Sequence, residues 1–202
     1  EELERALGNG AAGVMCLANI DQKSLTAPEF APIWRAIDRK GLPVLVHPTA
    51  PPGVAVMDVA RYNLVASVGF MFDTTLAIAR MIYDGFLDRY QDLKIIAAHG
   101  GAALPYLAGR LDFCHLKMPP ARERISAPPT DYLRRIWYDS VLFRDDALKL
   151  CLDIAGEDRV LYGSDYPHNI GDMKGCRERV ERLGPDLARR IGETNTRGIF
   201  AI

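Results

Sequence analysis

Short apolar runs alternate with longer amphipathic stretches along the whole chain. Residues 13–18 (Gly-Val-Met-Cys-Leu-Ala) form an apolar run of strand length. Residues 29–40 carry a helical pattern that starts after Pro28 and stops at Gly41. Residues 42–46 (Leu-Pro-Val-Leu-Val) predict a second strand. The stretch 48–69 that follows is rich in proline and has no clear period. It is long for a connection in a compact domain, and such loops often carry function. Asp73 reads as the N-cap of a helix over 74–83, with Gly85 ending it. Residues 93–98 predict a third strand and 102–114 a third helix. A shorter strand over 136–139, a helix over 145–155, a last strand over 159–162 and helical segments over 174–183 and 185–191 complete the pattern.

Five βα units in strict alternation define an α/β chain. The strands are near-continuous apolar runs, which predicts a parallel sheet buried on both faces, either a barrel or a doubly wound sheet. Right-handed crossovers would put every helix of a barrel on the outside. No repeat, low-complexity tract or linker interrupts the pattern, so residues 1–202 read as one domain.

Composition narrows the function classes. The 202 residues are 49% hydrophobic and 25% charged with a net charge of −1, ordinary for a soluble globular protein and without the basic face that a nucleic-acid partner requires. Apolar runs such as 42–46 stop at strand length, far short of a membrane span. No signal-peptide pattern opens the chain. Cys16, Cys114, Cys151 and Cys176 are scattered without a CxxC pair, which predicts buried free thiols in a cytoplasmic protein. The chain opens on Glu1 and not on Met, so further sequence is expected upstream.

Three of the apolar strands run into residues with chemistry: 42–46 into His47, 93–98 into His99, and 159–162 through Gly163-Ser164 into Asp165. Each has a bland alternative. His47 sits before Pro48, which holds it extended in any case. Asp165 is placed to cap a turn in Ser-Asp-Tyr-Pro, and His99 to start a helix at the bend Gly100-Gly101. Together they weigh differently. In parallel α/β architectures the carboxyl ends of all strands lie on one face, where active sites are built. Two imidazoles and a carboxylate suit Zn²⁺ or another divalent cation such as Mn²⁺. His168 lines the mouth of the site or belongs to a solvated loop. His115 falls on an outer helix. Gly100-Gly101 lacks the spacing of a phosphate-binding loop.

The segments 42–48 (LPVLVHP), 93–101 (LKIIAAHGG) with Leu104-Pro105-Tyr106 and Gly109-Arg110, and 163–167 (GSDYP) resemble the amidohydrolase-2 branch of the amidohydrolase-related enzymes. Its best-known members are the aminocarboxymuconate semialdehyde decarboxylase group and related aromatic-acid decarboxylases. Phe72-Asp73-Thr74-Thr75 and residues 82–87 also fit its connecting helix, so the resemblance covers essentially the whole chain. It implies a (β/α)₈ TIM barrel, here incomplete, made of the C-terminal five βα units with the first three absent. It assigns His47 and Asp165 as metal ligands and His99 as the acid/base group, with Asp165 also catalytic. The family's other ligands come from an H-x-H or E-x-H pair on the first strand, and no such pair occurs in this sequence.

The expected activity is non-oxidative decarboxylation of a small unsaturated or aromatic carboxylic acid. The alternatives are hydrolysis of a lactone, amide or ester on the same scaffold, and a non-catalytic α/β binding module. Arg110 is either a surface arginine that snorkels along its helix or pairs with Asp112 or, as the resemblance implies, a ligand for a substrate carboxylate in the neighbouring subunit's site. That second role requires a homodimer joined through the helix over 102–114.

Overall fold

A computed structural model describes residues 1–201. Five strands lie side by side in sequence order, and every pair is parallel: β1 (Val14–Leu17), β2 (Pro43–His47), β3 (Lys94–Ala97), β4 (Trp137–Asp139) and β5 (Val160–Leu161). The order never reverses, as it would in a doubly wound sheet, so this is a stretch of barrel wall. The helices are α1 (Glu2–Gly8), α2 (Ala31–Asp38), α3 (Phe70–Tyr83), α4 (Phe86–Arg89), α5 (Leu104–Lys117), α6 (Pro129–Leu133), α7 (Asp145–Ala155), α8 (Met173–Glu181), α9 (Pro185–Arg189) and α10 (Asn195–Phe200).

Side-chain alternation sorts the strands into two faces. Val44, Val46, Ile95, Tyr138 and Val160 join Trp34, Ile37, Ile78, Ile82, Leu104 and Leu148 from the helices in the main core. Fully burying each aliphatic side chain there contributes ~1.5–3 kcal/mol. On the opposite face Leu45, Ile96, Trp137 and Leu161 pack with Ile199 and Phe200 of α10. The expectation that every helix lies outside is therefore corrected. Lys94, at the start of β3, donates to the carbonyl of Ile199 (3.3 Å), so α10 covers the inner face at the end remote from His47. Its apolar residues close a surface that the strands alone would leave wet.

Other sequence expectations also shift. β1 is not buried on both faces: among the described residues it pairs only with β2, and Met15 and Leu17 are 61% and 38% exposed. A short antiparallel hairpin, Asn19–Ile20 with Lys23–Ser24, follows it and had no clear apolar signal. The irregular stretch is helical from residue 65, where a π-type turn, Val65–Gly69, runs into α3. Asp73 consequently does not cap α3. It lies in the first turn with its side chain buried. The 23-residue span Arg61–Tyr83 contains an 18-residue window with a mean hydropathy of 1.4, enough by length and composition to cross a membrane, which the reading of short apolar runs overlooked. Of that span, Ala77, Ile78, Met81 and Ile82 pack into the core, while Val68 and Phe72 are exposed.

Candidate active site

His47 is the last residue of β2, His99 follows β3, and Asp165 follows β5. The structure brings all three to one cavity of about 1150 Å³ at the carboxyl ends of the strands. Its walls are largely apolar, with Leu17, Phe70, Leu142, Phe143 and Ile170 among them, and no lysine or arginine lines it among the described residues. Asp165 Oδ1 lies 3.6 Å from His47 Nε2 and 3.4 Å from His99 Nε2. The His47 and His99 ring centroids are 5.2 Å apart. Only 7% of the Asp165 side chain and 9% of the His99 side chain are exposed.

Backbone geometry aims these groups. His99 and Asp165 have φ of 56° and 58°, a left-handed conformation that L-residues other than glycine adopt at a cost. Gly100 (φ +60°) and Gly101 (φ +75°) continue the His99 turn, and a Cβ on either would sit 2.5 Å from Leu142 or Tyr138 respectively. The glycine pair thus serves close packing at the bend. His47 Nδ1 lies 3.0 Å from the carbonyl of Pro48. A carbonyl only accepts, so Nδ1 carries the proton and Nε2 turns an unshared pair toward the cavity. That Nε2 is buried and has no hydrogen-bond partner among the described residues.

Those observations test the site for a metal. His47, Asp165 and His168 each offer a donor atom, all within 4.8 Å of one another. A buried, unpartnered imidazole nitrogen facing a carboxylate fits a divalent ion. His168 was expected either at the mouth of the site or in a solvated loop. It is exposed, and its ring stacks on His47 with centroids 5.3 Å apart and a 12° angle between the planes.

Three supporting residues escaped sequence reasoning or were given another role. Asp73 accepts from Asn19 Nδ2 (2.9 and 3.1 Å) and from the backbone N–H of Thr49 (3.0 Å), while Asn19 also donates to Ala50 O (3.0 Å). The loop leaving His47 is therefore tied to α3 and to the hairpin that follows β1. Burial raises the Asp73 carboxyl above its ordinary range, and the bonds from Thr49 and Asn19 oppose that rise. Asp139, which ends β4, accepts from the N–H groups of His99 (2.9 Å), Gly100 (2.9 Å) and Val141 (3.0 Å). Its place at the end of a core strand was the same signal that singled out His47. Asn19 carried no such signal, because its partners lie on distant segments.

The remaining candidates stand apart. Arg110 is exposed on α5 and does not line the cavity. Asp112, its suggested partner, instead accepts from the N–H (2.9 Å) and hydroxyl (2.6 Å) of Thr130. His115 lies on α5 with Nε2 3.4 Å from Ile125 O, a peripheral packing position. The four cysteines are free, and of these Cys151 and Cys176 are fully buried while Cys16 and Cys114 are partly exposed.

Comparison with known proteins fits this geometry. The chain is 32% identical over 175 residues to a 2-amino-3-carboxymuconate-6-semialdehyde decarboxylase of Dictyostelium discoideum, covering 86% of this chain and 48% of that protein. It is 26% identical over 184 residues to a γ-resorcylate decarboxylase of Rhizobium radiobacter, covering 87% of this chain and 55% of that protein. The chain thus spans about half the length of these curated relatives. Its fold superimposes on 5-carboxyvanillate decarboxylase of Sphingomonas paucimobilis with a TM-score of 0.89 at 26% identity, over 100% of this chain and 62% of the other. The Novosphingobium aromaticivorans enzyme of the same name, solved with bound manganese, gives 0.88 at 26% identity, over 100% and 60% of the two chains. The amidohydrolase family model matches residues 1–202, and the chain belongs to that family.

Proposed function

We propose that the protein is a metal-dependent carboxy-lyase that removes CO₂ non-oxidatively from a small aromatic or unsaturated carboxylic acid. The observation that carries this reading is the convergence of His47 Nε2 and His99 Nε2 on one oxygen of Asp165, at 3.6 and 3.4 Å, in a largely apolar cavity. His47 and Asp165 would hold a divalent cation, Zn²⁺ or the Mn²⁺ found in a related decarboxylase. Such an ion supplies Lewis-acid polarisation of the substrate's oxygen substituents.

The other steps belong to side chains. The apolar walls hold a flat ring or conjugated chain and keep water from it. His99 Nε2, oriented by Asp165, delivers a proton to the carbon that loses CO₂. The C–C bond breaks, its electron pair remains on that carbon, and the new C–H bond takes it up, so one proton is consumed for each CO₂ released. Imidazole suits proton transfer at near-neutral pH. His168, at the rim beside His47, contacts the substrate's polar substituents. The relatives compared above are named for decarboxylation, which favours this reading over hydrolysis or a non-catalytic module.

A carboxylate substrate also needs a cation, and the cavity lining contains no lysine or arginine among the described residues. Arg110 fits that need if α5 forms a homodimer interface and carries it into the neighbouring site. Tyr106 and Phe113, 81% and 60% exposed, flank Arg110 at helical spacing and give α5 an apolar stripe of the kind that interfaces cover. The free thiols suit the reducing cytoplasm. The test is CO₂ release by the full-length protein from hydroxybenzoates, with γ-resorcylate and 5-carboxyvanillate as first probes. Metal-dependent release is expected. Failure to bind Mn²⁺ or Zn²⁺ together with no CO₂ from any of these acids would overturn the assignment.

A further inference from the structure

The end of β4 contributes no group to the cavity chemistry described above, yet it touches both neighbouring strand ends. Asp139 Oδ2 accepts the His99 N–H, and Oδ1 accepts those of Gly100 and Val141, so one carboxylate holds the turn that carries His99. The next residue, Ser140, is fully buried, and its hydroxyl accepts the N–H of Gly163 (3.1 Å) while facing the Gly163 carbonyl (3.5 Å). Gly163 begins the segment that leads to Asp165. A Cβ there would lie 2.9 Å from Asp139 Cβ, so the strands approach too closely for any larger residue. Three N–H donors on a single carboxylate are a strong, directional restraint. They offset the cost of the left-handed backbone at His99.

We infer that Asp139 is a positioning residue for the reaction: with Ser140 it fixes His99 relative to Asp165, without touching substrate or metal. The inference rests on the reading of His99 as the proton donor. Displacing a reacting group by about 1 Å can cost on the order of 100-fold in rate. The isosteric variant Asp139→Asn isolates the restraint. Its single amide oxygen can take the place of Oδ1 and keep the bonds from Gly100 and Val141. The amide NH₂ then faces the His99 N–H, donor against donor.

The experiment compares wild-type full-length protein with Asp139→Asn, measuring kcat, KM, bound metal and the NMR resonances of the His99 and His47 rings. The expected result is a kcat lower by roughly 10- to 100-fold, KM within about twofold, and unchanged metal content. The His99 resonances should shift while those of His47 stay in place. An unchanged kcat with an unmoved His99 ring overturns the inference. So does a kcat that falls only in step with lost metal. Should Asp139→Asn fail to fold, Asp139→Glu, which keeps the charge but moves the carboxylate by one methylene, is read in the same way. If the wild type releases no CO₂, the proposed function fails separately. The ring resonances then still report whether Asp139 places His99.

Discussion

At the scale of single residues, the site is assembled by backbone turns more than by reach of side chains. His99 and Asp165 occupy the left-handed region at φ of 56° and 58°, which costs ~1–2 kcal/mol per residue. Such strain persists only where surrounding contacts over-determine it, and it clusters at functional sites. Asp165 faces both imidazoles, so on the proposed reading Asp165→Ala would remove a charged ligand of the ion and the partner of His99 together. If the full-length protein has the proposed activity, the expected outcome is a kcat lower by about two orders of magnitude or more, with metal lost in parallel. Near-normal turnover would remove Asp165 from the site. Asp73 makes a separate prediction about pH. Its carboxyl is raised by burial, so the folded protein binds that proton more tightly than the unfolded chain. Its contribution to stability is therefore greatest below the ordinary carboxyl range and is lost as pH rises through the raised folded value. Asp73→Asn removes this dependence. In urea unfolding, the stability of the variant relative to wild type should improve from pH 4 to pH 7, and a difference that worsens over that range would contradict the assignment.

At the scale of elements, α3 and α5 show how one helix serves two surfaces. α3 buries Ala77, Ile78, Met81 and Ile82 in the core and also turns Asp73 toward Thr49, which ties the loop after His47. α5 buries Leu104, Pro105 and Ala108 and leaves Tyr106, Arg110 and Phe113 outside. If that outer stripe joins two protomers, Tyr106→Glu with Phe113→Glu should convert the full-length dimer to monomer in sedimentation velocity, because two charges would be buried without partners. Arg110→Lys should leave the dimer and the metal intact and raise KM for an acidic substrate, since an ammonium cannot reproduce the planar fork of guanidinium. A monomeric wild type, or an unchanged KM, would take Arg110 out of the site.

At the scale of the whole molecule, five parallel strands in sequence order form a wall with helices on one face and α10 on part of the other. Met15 and Leu17 on β1 remain open toward the cavity, and β1 has a neighbour on one side only. The cluster of His47, Asp165 and His168 is the donor group available for an ion among the described residues, and the sequence has no H-x-H or E-x-H pair. Metal affinity follows ligand number and geometry. The 202-residue chain by itself should therefore hold less metal per molecule than the full-length protein when both are dialysed and assayed by elemental analysis. Equal stoichiometry and equal activity would show that the donors within these 202 residues suffice.

The order and type of the main elements were legible from periodicity alone, because strands buried on both sides must be apolar throughout and helices packed on one side must alternate at helical spacing. His47, His99 and Asp165 were legible for a related reason: a parallel sheet sends every strand end to the same face, whatever the distance along the chain. What followed from local pattern stopped there. Asp73 looked like a helix cap because a carboxylate before an apolar run usually is one, and only its burial against Asn19 and Thr49 shows its actual bonds. The same holds for α10 on the inner face, for Asn19, and for the stacking of His168 on His47. Each depends on which distant segment arrives beside it. Periodicity records which face of an element is buried, and hydrogen bonds and ring contacts between remote segments are decided only when the chain closes on itself.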